Sequence, residues 1–159
     1  MHLRIEYAQP DDAPVIAQMV GELLREIMAL VETKTFGFHQ EETETRARSW
    51  IMDGKYSVEL ARDGIQAEPL GFLALHESFA LYTEGAYGTI PELYVRPAYR
   101  WKGVGAAWMG EARQVGQSRG WPRIEVTTPP LPQFARTMAF YQREGFSISD
   151  GRKLKLDLT

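Results

Sequence analysis

The sequence predicts a mixed α/β domain, on the evidence of its length, its composition and the order of its periodic segments. The chain has 159 residues, of which 44% are hydrophobic and 25% charged, as in an ordinary globular domain. That length buries a core without disulfides or metals, and we expect residues 1–159 to form one domain. The periodic segments follow the order strand, two helices, three strands, helix, strand, helix, two strands, which favours a mixed sheet covered by helices.

Charge and cysteine content narrow the class of protein further. The net charge of −3 argues against a general affinity for nucleic acid or for an acidic membrane. The chain contains no cysteine, which excludes disulfides, thiolate catalysis and cysteine-based metal sites, and we predict no metal site. No apolar run approaches the length of a membrane span, and the first residues lack a signal-peptide core. We therefore expect a cytoplasmic protein with neither a nucleic-acid nor a membrane partner.

The first part of the chain predicts one strand and two helices. Apolar and polar residues alternate over residues 3–7, which is typical of a strand. Residues 11–14 include two aspartates and a proline, which are helix-start residues, and an apolar stripe over 16–30 predicts a long amphipathic helix. Residues 33–40 interrupt this pattern. A shorter helix is predicted over 41–52, with acidic residues at its start, as the helix dipole favours.

Three strands are predicted in the middle of the chain. Residues 56–60 alternate as a strand, and Asp63-Gly64 lies in the turn that follows. The next strand is predicted over 70–79 and a loop over 82–88. The third strand covers 89–95, where branched and aromatic residues predominate.

This third strand runs into a glycine turn and a helix. Residues 100–105 read RWKGVG, and apolar residues over 104–115 recur at three- and four-residue spacing, as on a helix face. The first amides of a helix lack internal partners and favour a phosphate. A nucleotide-triphosphatase loop is excluded because Gly105 is followed by alanine instead of Lys-Ser/Thr. A dinucleotide fingerprint is excluded because Trp108 stands where a third glycine is required.

The C-terminal part predicts a strand, a helix and a final hairpin. Gly120 and Pro122 mark the end of the preceding helix, and residues 123–127 alternate as a strand. Three prolines over 129–132 form a stiff connection. A helix is predicted over 133–144, and the hairpin pairs residues 146–148 with residues 153–158.

Two motifs in these segments resemble one known family. Arg-x-x-Gly-x-Gly at 100–105, after Leu-Tyr-Val-x-Pro at 93–97, resembles the acetyl-CoA signature of the GCN5-related N-acetyltransferases (GNATs). Phe-Tyr-x-x-x-Gly-Phe at 140–146 resembles the second motif of the same family. The order of elements is similar over essentially the whole chain. The resemblance implies the GNAT fold, a mostly antiparallel twisted sheet of six to seven strands with one splayed pair and about four flanking helices.

The resemblance also implies acetyl-CoA as co-substrate. Its pantetheine arm would lie between the splayed strands, and its pyrophosphate would bind the turn at the helix start. Trp101 stands where the family often has glycine and would cover the adenosine side, while Thr137 or Arg136 would replace an asparagine contact that Phe134 does not supply. For the arginines, a solvated surface position is the alternative. The residues implied in cofactor binding are Leu93, Tyr94, Val95, Arg100, Trp101, Lys102, Gly103, Val104, Gly105, Ala106, Arg136 and Thr137.

The same resemblance implies direct transfer of the acetyl group to an amine, with Tyr141 as general acid for the CoA thiolate. A phenol of unperturbed pKa about 10 is protonated at neutral pH and suits this role, and a tyrosine packed in the core is the alternative. Relatives often carry a base on the central strand, at positions that align here with Pro91 and Thr89, and neither can act as a base. Glu92 is the neighbouring carboxylate, and it becomes the candidate base if a bulge at Pro91 redirects its side chain; an ordinary polar position on the strand is the alternative. His76, Glu77 and Tyr82 are other candidates for the base.

The acceptor is less defined by the sequence. The resemblance implies a pocket bordered by Phe36, His39, His76, Glu77 and Tyr82, although a surface or core position is the alternative for each. Acidic residues favour a cationic amine, and polyamine-like or amino-acid amines, a peptide N-terminus, a protein lysine and aminoglycosides all stay open. A non-catalytic acetyl-CoA sensor of the same fold is the alternative function. A homodimer is compatible with the resemblance, and the sequence leaves the oligomeric state open.

Overall fold

The computed structural model describes residues 1–31, 37–65, 68–131, 133–149 and 151–159. The chain divides into two compact units, Met1–Thr127 and Thr128–Thr159. The smaller unit contains helix α4 (Ala135–Arg143). The larger unit contains six strands and three α-helices among the described residues: β1 (Leu3–Tyr7), α1 (Ala13–Val31), α2 (Gln40–Met52), β2 (Ser57–Asp63), β3 (Gly71–Ala80), β4 (Gly85–Ile90), β5 (Leu93–Val95), α3 (Val104–Arg119) and β6 (Ile124–Val126).

The strands of the larger unit form one mostly antiparallel sheet. Its order is β1-β2-β3-β4-β6, and β5 pairs with β3 outside this path. All neighbouring strands are antiparallel except β4 and β6, which are parallel because α3 carries the chain between them. The predicted fold class, a mixed α/β fold with helices flanking a mostly antiparallel sheet, is therefore confirmed.

One extra residue interrupts the pairing of β3 with the segment that contains β4 and β5. His76 lies opposite Thr89, whereas Leu73 lies opposite Leu93, so three steps along β3 match four steps along its neighbour. The surplus residue falls at Pro91–Glu92 and makes a β-bulge. Proline lacks the N–H that a continuous ladder needs, which favours an interruption at this point. The strand predicted over 89–95 is therefore two strands joined by a bulge.

The main core lies between one face of the sheet and helices α1 and α2. Its buried residues are Ala8, Ala13, Ile16, Met19, Ala47, Val58, Leu60, Phe72, Ala74 and Tyr94. Helix α3 approaches the opposite face, where Glu59 of β2 is close to Glu111 and where Trp108 and Met109 are buried. Among the described residues, no helix is both long enough and apolar enough to cross a membrane.

Two predictions about secondary structure were wrong. The loop predicted over 82–88 is shorter, because a turn at Leu81–Thr83 leads directly into β4 at Gly85. The final hairpin is not formed: residues 146–149 and 151–159 contain no strand, and Leu154 and Leu158 are exposed. Alternating apolar residues make a strand only where a neighbouring backbone completes the hydrogen bonds and a core covers one face.

Candidate active site

Strand β5 presents an open backbone edge. The pairing of β4 with β6 ends at Ile90 and Val126, and β5 itself pairs only with β3 among the described strands. The Glu92 carbonyl accepts from the Ala74 amide at 2.9 Å, so alternate backbone groups of this segment point towards β3. The amides of Leu93 and Val95 consequently point away from β3, along the edge where an extended polar ligand can add as a strand.

The turn after β5 leaves the first amides of α3 uncapped. Gly103 precedes the helix with a φ of 85°, and no side chain within the described part of the chain caps it. The amide of Ala107 is bonded to the Gly103 carbonyl at 3.1 Å, whereas those of Val104, Gly105 and Ala106 have no partner within the helix because they precede its first full turn. Gly103 is exposed, and a side chain there would meet no atom within 4 Å. These three amides and the helix dipole form a site suited to an anion.

Arg100, which the resemblance places among the cofactor-binding residues, is engaged by other groups. Its guanidinium makes two bonds of 2.7 Å to the Glu26 carboxylate of α1, and its Nε donates to the Val95 carbonyl at 2.8 Å. Arg100 therefore connects the turn to α1, and the Glu26 carboxylate balances its charge. Lys102 is exposed, and its Nζ lies 5.8 Å from the centre of the Tyr99 ring.

Tyr94 differs from its neighbours on β5 because its side chain enters the core. Its residue pairs with Phe72 of β3, and its hydroxyl donates to Glu22 of α1 at 3.1 Å. Burial, with the nearby Glu22 carboxylate, raises the pKa of Tyr94 to about 12. Of the three β5 residues predicted to contact the cofactor, only Leu93 and Val95 have backbone groups directed to the open edge.

The bulge turns Glu92 to the sheet face that also carries His76. Its carboxylate accepts a hydrogen bond from the hydroxyl of Tyr56, the residue that precedes β2. Burial raises the pKa of Glu92, while the Tyr56 hydrogen bond and the nearby His76 act in the opposite direction. A carboxylate with a raised pKa, close to the open edge of β5, has the chemistry of a general base. Tyr56 was not among the residues predicted for the site, although a tyrosine in register with buried Val58 signals a hydroxyl that needs a partner.

The residues predicted to border the acceptor pocket are brought together only in part. Consecutive strand residues face opposite sides of the sheet, so His76 lies by Tyr56 whereas the Glu77 carboxylate accepts from Trp121 Nε1 at 2.8 Å. Tyr82 is exposed at the β3–β4 turn, where the Arg123 guanidinium lies 4.9 Å from its ring centre. His39 is exposed at the start of α2, and Phe36 lies outside the described residues.

The smaller unit carries the second sequence motif on α4. Tyr141 is buried, and its ring makes edge contacts with Phe140 and Phe146 at centroid distances of 5.1 and 5.3 Å. Burial raises the pKa of its hydroxyl, which is therefore protonated at neutral pH. Arg136 is exposed and Thr137 is partly buried on the same helix.

Comparisons with known proteins agree with this fold. Residues 24–146 match the Acetyltransferase (GNAT) family. A GCN5-related N-acetyltransferase from Ralstonia eutropha is 19% identical with a TM-score of 0.76, over 97% of this chain and 98% of that one. An aminoglycoside acetyltransferase from an uncultured soil metagenomic sample is 19% identical with a TM-score of 0.74, over 99% and 97%. A predicted acetyltransferase from Clostridium acetobutylicum, solved with acetyl-CoA, is 14% identical with a TM-score of 0.79, over 98% and 96%.

The comparison with curated protein sequences finds no match. At identities below a quarter, the solved structures establish a shared fold. The family match is independent of them and covers well over half of the chain, including the turn before α3 and the motif on α4. The chain belongs to the GNAT acetyltransferase family.

Proposed function

We propose that this protein is an N-acetyltransferase that transfers an acetyl group from acetyl-CoA directly to a primary amine. The observation that carries the proposal is the continuity of the open β5 edge with the uncapped start of α3. An extended amide-containing chain that ends in a diphosphate matches these two features in that order. Acetyl-CoA has this chemistry, and the Clostridium acetobutylicum acetyltransferase of the same fold was solved with it.

In this proposal each part of the cofactor meets a different segment of the chain. The pantetheine amides bond to the backbone of Leu93 and Val95, as an added strand does. The diphosphate accepts from the amides at the start of α3. Trp101, with 62% of its surface exposed beside that turn, covers the adenosine. Arg100 supports the turn through its pair with Glu26 and leaves the phosphates to the amides.

The proposed chemistry begins with removal of a proton from the acceptor. An alkylammonium of pKa about 10.4 requires roughly 4 to 5 kcal/mol to lose its proton at pH 7. The carboxylate of Glu92 accepts that proton, and the free amine attacks the thioester carbonyl. An amide on the β5 edge stabilises the oxyanion. The C–S bond then breaks, and the hydroxyl of Tyr141 donates a proton to the CoA thiolate. The nitrogen of the new amide loses its second proton to solvent, and the Tyr141 phenolate regains a proton from solvent.

The direct test is release of free CoA from acetyl-CoA across a panel of amines. The panel contains polyamines, amino acids, peptides with free N-termini, lysine side chains and aminoglycosides. We expect at least one class to release CoA, and the Tyr141→Phe variant to do so about a hundredfold or more slowly while binding acetyl-CoA with nearly unchanged affinity. Thiol detection measures the rate, and calorimetry measures the affinity.

A matched control separates the phenol of the active site from phenols elsewhere. Tyr87→Phe removes a hydroxyl from β4, at a position given no role in the proposal, and is expected to keep the wild-type rate. Binding of acetyl-CoA without release of CoA from any amine would contradict catalysis and support the acetyl-CoA sensor. Equal rates for Tyr141→Phe and wild type would contradict the role of Tyr141 alone.

A further inference from the structure

Tyr56 and Glu92 are joined by a hydrogen bond between distant parts of the chain. The Tyr56 hydroxyl donates to Glu92 Oε1 across 36 positions of sequence. Tyr56 directly precedes β2 and Glu92 directly precedes β5, and both strands are neighbours of β3. The bond exists because the bulge sends Glu92 to the face that Tyr56 shares. No sequence motif links the two residues.

The ring of Tyr56 is held by aromatic contacts. The His76 ring of β3 stacks on it at a centroid distance of 6.1 Å and an angle of 16°. The Trp50 ring of α2 contacts it at 5.4 Å and 52°. These contacts come from two different elements and restrict the orientation of the phenol. The hydroxyl is therefore already ordered for its bond to Glu92.

The charges around Glu92 act in two directions. Burial disfavours its carboxylate and raises its pKa, whereas the bond from Tyr56 and the nearby His76 favour the ionised form. The pKa of Tyr56 itself is raised, by burial and then by the Glu92 charge, so the phenol keeps its proton. Further along the same face, the Tyr94 hydroxyl is bonded to Glu22. Tyr56 and His76 are thus the groups that counter the burial of Glu92.

We infer that Tyr56 is a positioning residue for the base: its hydroxyl aims the Glu92 carboxylate and keeps it ready to accept the proton of the amine. The inference rests on the proposed function, in which Glu92 takes that proton. In the step, the ammonium N–H bond breaks, a carboxyl O–H bond forms, and the Tyr56 hydroxyl stays protonated throughout. His76 contributes by stacking on the phenol and by its proximity to Glu92.

The test compares Tyr56→Phe with wild type over a range of pH. Phenylalanine keeps the ring between Trp50 and His76 and removes only the donor. Loss of the Tyr56 hydroxyl makes Glu92 harder to ionise. The midpoint of the acid limb in the pH profile of kcat/KM is therefore expected to rise by about one pH unit. The rate at high pH is expected to fall much less. Tyr7→Phe, which removes a hydroxyl from β1, is the matched control, and its acid limb is expected to have the same midpoint as that of wild type.

A second measurement does not depend on activity. The carboxyl carbon of Glu92 is followed by NMR titration in glutamate-labelled protein, with Glu92→Gln to assign its signal. We expect its midpoint to rise in Tyr56→Phe, and to rise by less in His76→Gln, which gives an independent variant should the first one unfold. Equal Glu92 midpoints in the variants and wild type would overturn the inference.

The two readouts also distinguish this inference from the proposed function. Wild-type protein that releases no CoA from any amine overturns the proposed function, and the positioning of a base falls with it. If Tyr56→Phe is active and its Glu92 midpoint shifts while the acid limb of kcat/KM does not, only the role of Tyr56 is overturned. If Tyr56→Phe shifts the acid limb of the kcat/KM profile and the Glu92 midpoint together, and Glu92→Gln has no acid limb, the results support both the proposed function and the role of Tyr56.

Discussion

Trp101 has a backbone conformation that a residue with a side chain rarely adopts. Its φ of 65° lies in the left-handed region, which costs a residue with a Cβ roughly 1–2 kcal/mol. Besides Trp101, Glu84 is the other described non-glycine residue with a positive φ. Glycine would remove this cost at Trp101. In the proposed function, the exposed indole beside the start of α3 covers the adenosine, which is a reason to keep tryptophan there.

A Trp101→Gly variant separates binding from stability. Relief of backbone strain offsets the entropy cost of glycine, so we expect an unfolding free energy within about 1 kcal/mol of wild type. Loss of a stacked base should weaken CoA binding about tenfold. Phosphopantetheine lacks the adenosine, and its affinity should stay the same. Calorimetry with both ligands measures the two effects, and an equal loss for both ligands would exclude the adenosine contact.

At the scale of elements, α3 is bounded by glycines in the left-handed region at both ends. Gly103 precedes it with a φ of 85°, and Gly120 follows it with a φ of 72°. Both permit a backbone that other residues rarely adopt, but only Gly103 adjoins the free amides. The turn is also supported from outside, because the Arg100–Glu26 pair ties it to α1.

Proline at the two ends of α3 tests which end binds the cofactor. Proline requires a φ near −65°, so Gly103→Pro and Gly120→Pro both disrupt a local turn and should lower stability by similar amounts. We expect Gly103→Pro to abolish acetyl-CoA binding and Gly120→Pro to leave it intact. Circular dichroism verifies folding and calorimetry measures binding. Unchanged affinity in folded Gly103→Pro would contradict the proposed diphosphate site.

At the scale of the whole molecule, the packing of α3 on the sheet buries an acidic side chain of β2. Glu59 of β2 is 2% exposed, and neither carboxylate oxygen has a hydrogen-bond partner among the residues that the structure describes. Burial, and then the charge of Glu111 on α3, raise the pKa of Glu59 from 4.5 to about 7. The folded state therefore holds a proton between these pH values that the unfolded state has released. Stability contributed by this group is present at low pH and is lost as the pH rises through about 7.

A Glu59→Gln variant should change how stability depends on pH. Glutamine does not ionise, so we expect its unfolding free energy to match wild type near pH 4.5 and to exceed it at pH 8, by up to about 3 kcal/mol. Urea denaturation at several pH values measures the difference. The exposed Glu84→Gln variant is the control and should follow wild type throughout. A difference between Glu59→Gln and wild type that stays constant with pH would contradict the account.

Local patterns in the sequence were sufficient for most elements and for the family. The strand over residues 3–7 is present with the predicted bounds, and the helices α1 to α4 lie where periodicity indicated. These features depend on neighbours within a few positions, so a single sequence displays them. The glycine turn before α3 was readable for the same reason. The prediction of a final hairpin was wrong. Apolar and polar residues do alternate there, but no partner strand among the described residues pairs with them.

The sequence by itself therefore determined the class of fold, the family and the glycine turn before α3, because each is encoded by short-range spacing and residue type. The tertiary structure alone decided the partners of the charged groups. Arg100 pairs with Glu26 across 74 positions and Tyr56 with Glu92 across 36. The bulge at Pro91 decides which face Glu92 joins, and the packing of α3 decides that Glu59 is buried. Burial and hydrogen bonding between distant segments set protonation, and no local pattern carries that information.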